Sequence, residues 1–323
     1  MQYFLELLIF AGKTTLIVVA ILLCISFLFQ QIRRGRGTEV GMVRVLPLNP
    51  FFKELSRPIR EAVLDAKTLK LERKAEKKQV KETSEKPRVY VLRFDGDLNA
   101  SAGDQLAHEM DALLQVVRLN DEVVLLLESG GGRANAYGYA AAQLERLREK
   151  NISLTVCVDE VAASGGYMMA CVANKLIASP FALLGSIGVI AMVPNLHRLL
   201  KKFNIDYNEF TSGKYKRTVS LLAENTPEGQ AKLQEELETF HIMFKAFVQK
   251  YRPQIDMEKV GTGEVWYGAQ AQELGLVDHL QTSHAYFLDR IQEADLYKIE
   301  FIAPTSIRDR ISQWASIFSK NFA

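Results

Sequence analysis

Three short stretches of this chain carry residues that could share one covalent reaction. "VAASGG" (161–166) sets Ser164 between small residues, with no bulk on either side. "ESGGGR" (128–133) is a glycine triplet, and glycine lets backbone N–H groups approach a ligand without side-chain obstruction. "TSGKYKR" (211–217) supplies Lys214 and Lys216 beside Arg217. A serine beside aimed N–H donors is suited to acyl transfer, because those donors can hold the charge of a tetrahedral intermediate. The hydroxyl needs a base. No GxSxG pentapeptide is present and no histidine stands in a comparable position, so the usual serine–histidine arrangement is not signalled. A lysine kept neutral by burial and by neighbouring cations is the other solution. Three clustered cations are more often a solvated face, and on the residues alone that reading is favoured over a catalytic base.

These stretches must be positioned by regular elements, and the surrounding pattern supplies them. "RVYVLRF" (88–94), "EVVLLLES" (122–129) and "SLTVCVDE" (153–160) read as buried strands. They alternate with helical patterns over 95–117 and 135–150, and "KLIAS" and "GVIAMV" read as further short strands. Strand–helix alternation predicts an α/β fold with a largely parallel sheet. In such sheets ligands gather at the carboxyl ends of strands, where both small-residue turns fall. A long helix is expected over Pro227–Tyr251, breaking ahead of Pro253.

The N-terminal part is different. Thr14 to Gln30 reads "TTLIVVAILLCISFLFQ", uncharged and almost wholly apolar. With the residues before Lys13 it makes a span of about 8–30, long enough to cross a bilayer core of about 30 Å. A cleavable signal peptide would carry its basic residues before the apolar run, whereas here "QQIRRGRG" follows it. The expected organisation is therefore a membrane anchor (1–36), a juxtamembrane helix interrupted at Pro58 with a charged linker (37–87), a core (88–290) and a C-terminal extension (291–323). The arginines after the span place the core in the cytoplasm by the positive-inside rule.

Bulk properties narrow the function classes. Forty basic and 38 acidic residues leave a net charge of +2, which gives no footprint for nucleic acid. Cys24, Cys157 and Cys171 lie in apolar surroundings without paired spacing, and the five histidines form no ligand motif. No metal and no cofactor is expected.

The ordered set "SGGG", "VAASGGYMMACVANKLIASPFALLGSIGVI" and "SGKYK" resembles the signal peptide peptidase family of membrane-associated serine peptidases, in particular its single-core inner-membrane type. The resemblance spans roughly residues 88 to 285. It implies a Clp protease/crotonase-like core with flanking helices, preceded by an N-terminal transmembrane helix. It implies Ser164 as nucleophile, Lys216 as general base with Lys214 beside it, and Gly131 and Gly165 as oxyanion donors. The family's proline is replaced here by Gly130. It further implies peptide substrates such as signal peptides or membrane-protein fragments, and a homo-oligomeric ring in which neighbouring subunits supply the serine and the lysine. In this family the catalytic part faces the periplasm, against the charge rule. Ser186 reads as a turn residue, and Ser101, Ser129 and Ser212 as hydrogen-bonding neighbours. Two other readings use the same fold: a crotonase-like acyl-CoA enzyme, and a catalytically silent membrane scaffold.

Overall fold

The computed structural model describes residues 41–71 and 86–303. Val43–Phe301 form one compact unit. A second unit comprises Met1–Met42 and Ile302–Ala323, of which residues 41, 42, 302 and 303 are described. The described part of the chain opens with β1 (Met42–Pro47), α1 (Leu48–Val63), β2 (Arg88–Asp95), α2 (Gly103–Leu113), β3 (Glu122–Glu128) and α3 (Ala134–Glu149). It continues through β4 (Ser153–Val158), β5 (Val161–Ala163), α4 (Gly165–Ala170), β6 (Lys175–Ala178), β7 (Leu183–Gly185) and α5 (His197–Lys202). It closes with α6 (Pro227–Tyr251), α7 (Met257–Val260), β8 (Val265–Tyr267), α8 (Gly268–Glu273), β9 (His279–Leu280), α9 (Ser283–Glu293) and β10 (Asp295–Ile302).

Among the described residues seven strands form the main sheet in the order β1-β10-β2-β3-β4-β6-β9, and the pairs from β10 to β9 are parallel. Strands covered on both faces read as continuous apolar runs, which is the pattern of β2, β3 and β4. Their side chains alternate between two cores. Tyr90, Leu92 and Phe94 of β2 join Leu125, Leu127 and Val156 on the face that also buries residues of α2, α3 and α4. Val89 and Val91 join Val124, Cys157 and Ile177 on the other face, closed by Tyr286 and Phe287 of α9 and by Phe52 of α1. Cys157 and Cys171 are buried free thiols, both pushed upward by desolvation.

A second, three-stranded sheet, β5-β7-β8, carries the serine turn. β5 runs parallel to β7, and β7 antiparallel to β8. Helix α6 begins as its sequence dictates, with Pro227 in its first turn and the Thr226 hydroxyl accepting the Gly229 N–H at 3.1 Å.

Three expectations change. The core does not end at residue 290, because α9 crosses that point and β10 lies inside the main sheet between β1 and β2. Residues 42–47, expected in a juxtamembrane segment, form a strand of that sheet, and α1 continues through Pro58 without a break. "GVIAMV" (188–193) forms no strand. The strand lies earlier, at β7, and the positive φ of Gly185 and Ser186 turns the chain out of the sheet. Ile190 and Met192 are consequently 78% and 83% exposed. Among the described residues no helix is long and apolar enough to cross a membrane. The apolar run Thr14–Gln30 and the charged linker over 72–85 lie outside the described residues.

Candidate active site

Ser164 occupies the single residue between β5 and α4, with φ 52° and ψ −119°. For a residue with a Cβ this backbone conformation costs about 1–3 kcal/mol and persists only where surrounding bonds impose it. Those bonds are present. The Ser164 N–H donates to the Gly185 carbonyl at 2.8 Å, and the Ser164 carbonyl accepts from Met168 at 2.9 Å. The preceding N–H, of Ala163, donates to the Ser129 carbonyl at 3.0 Å, and the Ser129 N–H donates to the Val161 carbonyl at 2.9 Å. The glycine triplet after β3 is thereby stitched to the strand that leads into the serine.

Gly131 then lies directly against the nucleophile candidate. It has φ +89°, and a Cβ there would stand 2.7 Å from the Ser164 Cβ and 2.8 Å from the Gly165 nitrogen. Gly165 is the first residue of α4, so its N–H is one of those a helix leaves without an intrahelical acceptor. A Cβ at Gly165 would meet the ring of Tyr137 at 2.4 Å. Both positions therefore require glycine, one for its backbone and its neighbour, the other for packing. The Gly131 N–H donates to the Ser129 Oγ at 3.1 Å. A Gly131→Ala chain is expected to lose about 100-fold in kcat/KM for a peptide substrate, since the methyl group displaces Ser164 and the turn that faces it. A loss below threefold would contradict this geometry.

Ser164, Gly132 and Gly165 line a cleft of about 590 Å³ together with Ser186, Val189, Phe240, His241 and Phe244. The structure thus unites three of the four expected site residues: Ser164, Gly131 and Gly165. Lys216 is elsewhere. It is exposed, in the segment after α5, and is not among the residues lining the cleft. Lys214 forms a 2.8 Å ion pair with Glu228, which raises its ammonium above the usual lysine value and keeps it charged. Ser129 bonds within the glycine turn, as a neighbour of the site. Ser186 takes a positive-φ turn, as its sequence setting suggests, but it also lines the cleft.

His241 is a residue that sequence reasoning missed. It projects from α6 into the cleft lining, and its Nε2 lies 3.1 Å from the Ile187 carbonyl. A carbonyl only accepts, so that nitrogen donates its proton there and is not free to receive one from a serine. No spacing motif links His241 to Ser164, and only the docking of α6 brings them to one cavity.

A strained serine on a strand-to-helix turn, beside a glycine loop at the carboxyl edge of a parallel sheet, is the setting of a serine hydrolase nucleophile. Comparison with known proteins agrees. Residues 146–296 match the family model for Peptidase family S49, and residues 2–144 match that for Peptidase family S49 N-terminal. The chain is 42% identical over 316 residues to "Probable protease SohB" of Haemophilus influenzae, covering 93% of this chain and 90% of that protein. It is 38% identical over 303 residues to "Putative protease SohB" of Buchnera aphidicola subsp. Baizongia pistaciae, covering 88% and 87%. "Protease 4" of Salmonella typhi matches at 31% over 160 residues, covering 49% of this chain and 26% of that one. The chain belongs to peptidase family S49 and is a serine-type peptidase.

Proposed function

We propose that the protein is a membrane-anchored endopeptidase that hydrolyses peptide bonds with Ser164 as nucleophile and Lys216 of a neighbouring subunit as general base. The observation that carries this reading is the Ser164 turn itself, strained, open to the cleft and faced by a glycine loop. In the reaction, neutral Lys216 takes the hydroxyl proton as Ser164 Oγ attacks the substrate carbonyl. The oxyanion is held by the Gly165 N–H at the head of α4 and by the Gly131 N–H, which turns to it from Ser129 Oγ as the charge forms. Lys216 returns the proton to the leaving amine, and water then releases the acyl group by the same route.

Supply of the lysine from a neighbour is supported by two features of the single chain. Lys216 is exposed and away from the cleft. The segment that carries it also exposes large apolar side chains, with Phe210 94% and Phe203 64% accessible. Large apolar side chains left this exposed favour burial against a partner. Thr14–Gln30 is the anchor of this reading, and it holds the cleft near the bilayer, where signal peptides and membrane-protein fragments are released. Extended peptides would enter the apolar cleft beside Met168, Val189 and Phe244.

The direct test is labelling with a fluorophosphonate probe. Labelling confined to Ser164 and lost in Lys216→Ala is the expected result. A histidine-driven enzyme gives the opposite pattern, so His241→Asn is measured in parallel. That variant is expected to lower kcat/KM less than about tenfold, against the roughly 10⁴-fold loss typical of a removed base. A 10⁴-fold loss in His241→Asn, with Lys216→Ala still labelled, would replace the lysine.

A further inference from the structure

Beneath the serine turn lies a buried phenol that the reaction above does not use. Tyr137, in the first turn of α3, is fully buried. Its Oη donates to the Asp97 carbonyl at 2.8 Å and lies 2.5 Å from the Ser129 Oγ. The directions of these bonds follow from chemistry. A carbonyl can only accept, so the phenolic proton goes to Asp97, and the Ser129 hydroxyl must supply the proton of the serine–tyrosine bond. Ser129 Oγ is then left to accept the Gly131 N–H, which it does at 3.1 Å. Without substrate the result is one directed chain from Gly131 through Ser129 and Tyr137 to Asp97, which holds the Gly131 N–H poised beside the serine turn until an oxyanion takes it. The ring of the same tyrosine is the surface against which Gly165 packs, at 2.4 Å from the position of an added Cβ. Burial pushes the phenol up, so it remains a donor wherever the enzyme works.

We infer that Tyr137 and Ser129 are positioning residues of the oxyanion site, the hydroxyl pair setting the plane of the Gly131 peptide and the ring setting the height of Gly165. The inference rests on the reading of Gly131 and Gly165 as oxyanion donors given above. A phenylalanine at residue 137 would fill the same apolar space against Phe94 without burying a polar group. The hydroxyl therefore adds alignment where the ring alone supplies packing. A donor's worth in a transition state depends on its aim, and errors of a fraction of an ångström are felt in kcat.

The test uses full-length protein in detergent with a chromogenic peptide substrate and a peptide aldehyde, whose serine adduct places an oxygen in the oxyanion site. Tyr137→Phe and Ser129→Ala are each expected to lower kcat about tenfold with KM within twofold. Affinity for the aldehyde should weaken by the same factor as kcat. A purely structural role would instead lower the melting temperature and leave the ratio of aldehyde to substrate affinity untouched, and that result overturns the inference. So does a rise in kcat for Ser129→Ala, which would mean that the serine withholds the Gly131 N–H from substrate. Should Tyr137→Phe not fold, Ser129→Ala breaks the same chain and decides the matter. Ser164→Ala separates the two levels of the argument. Full activity there removes the nucleophile and this inference with it, whereas an inactive Ser164→Ala beside an unaltered Tyr137→Phe and Ser129→Ala removes the positioning role alone.

Discussion

Ser164→Ala protein and Lys216→Ala protein are each expected to cleave peptides at least ~10⁴-fold more slowly than the wild type, and a mixture of the two, dissociated and reassembled together, is expected to regain measurable activity. The first half follows from the chemistry. A serine hydroxyl is a weak nucleophile until its proton is taken, and the base that takes it acts as a unit with it, so losing either partner costs nearly the whole rate. The second half follows from placement. Ser164 lies in the wall of the cleft, while Lys216 stands exposed outside it. A mixed assembly contains interfaces where an intact serine from one chain meets an intact lysine from the next. Recovery after mixing is measured by peptide hydrolysis on assemblies whose mixed composition is established by native mass spectrometry. Verified mixed assemblies that stay inactive would mean that each chain completes its own site.

The second large effect concerns stability. Arg252→Ala is expected to lower the unfolding free energy by about 2–3 kcal/mol, less than the cost of breaking a fully buried pair because the Asp278 side chain left behind is 29% exposed. Arg252 follows α6 and has a side chain only 4% exposed. Its guanidinium donates to both carboxylate oxygens of Asp278, at 2.7 and 3.0 Å. Asp278 Oδ2 also accepts the Leu176 N–H at 2.7 Å, which ties the end of α6 to the start of β6. The same helix presents Phe240, His241 and Phe244 to the cleft, so this fork fixes one wall of the site from a distance.

Titration checks the assignment. Burial alone would raise the Asp278 carboxyl, but the Arg252 fork and the Leu176 N–H outweigh it and hold it below the ordinary aspartate value. A carboxylate depressed by folding contributes stability that is present above its unfolded value, about 3.9, and is lost as pH falls through the lower folded value. The difference between wild type and Arg252→Ala should therefore be full at neutral pH and shrink below about pH 4. Denaturant melts at neutral and acidic pH measure both. A difference that grew on acidification would show that the fork does not act through the ionised carboxylate.

Much of the site could be read from the chain before its structure. The three strands β2, β3 and β4 announce themselves because a strand buried on both faces must be apolar throughout. Ser164 stands out because a strand-to-helix turn with no bulk beside it has few other uses. The rest is carried by contacts that no local pattern encodes. β10 is a single eight-residue strand of mixed apolar and charged character, and only its pairing with β2 makes it part of the core. "GVIAMV" has the composition of a strand, yet composition cannot tell an apolar residue packed in its own core from one left exposed. His241 reaches the cleft across 77 residues of sequence from Ser164, and Tyr137 lies buried on a helix whose polar and small residues give no hint of a bonded phenol beneath the turn.

The place of β10 has a consequence for how the protein is made. Strand β1 and helix α1 are synthesised near the start of the chain, but β1 meets the rest of the sheet only through β10, among the last of the described segments to be made. While translation is under way the outer edge of β2 is bare, and the ribosome has not yet delivered the strand that closes it. The finished sheet therefore forms only once β10 has been made. Nascent chains halted before residue 295 lack β10 and leave that edge of β2 unpaired.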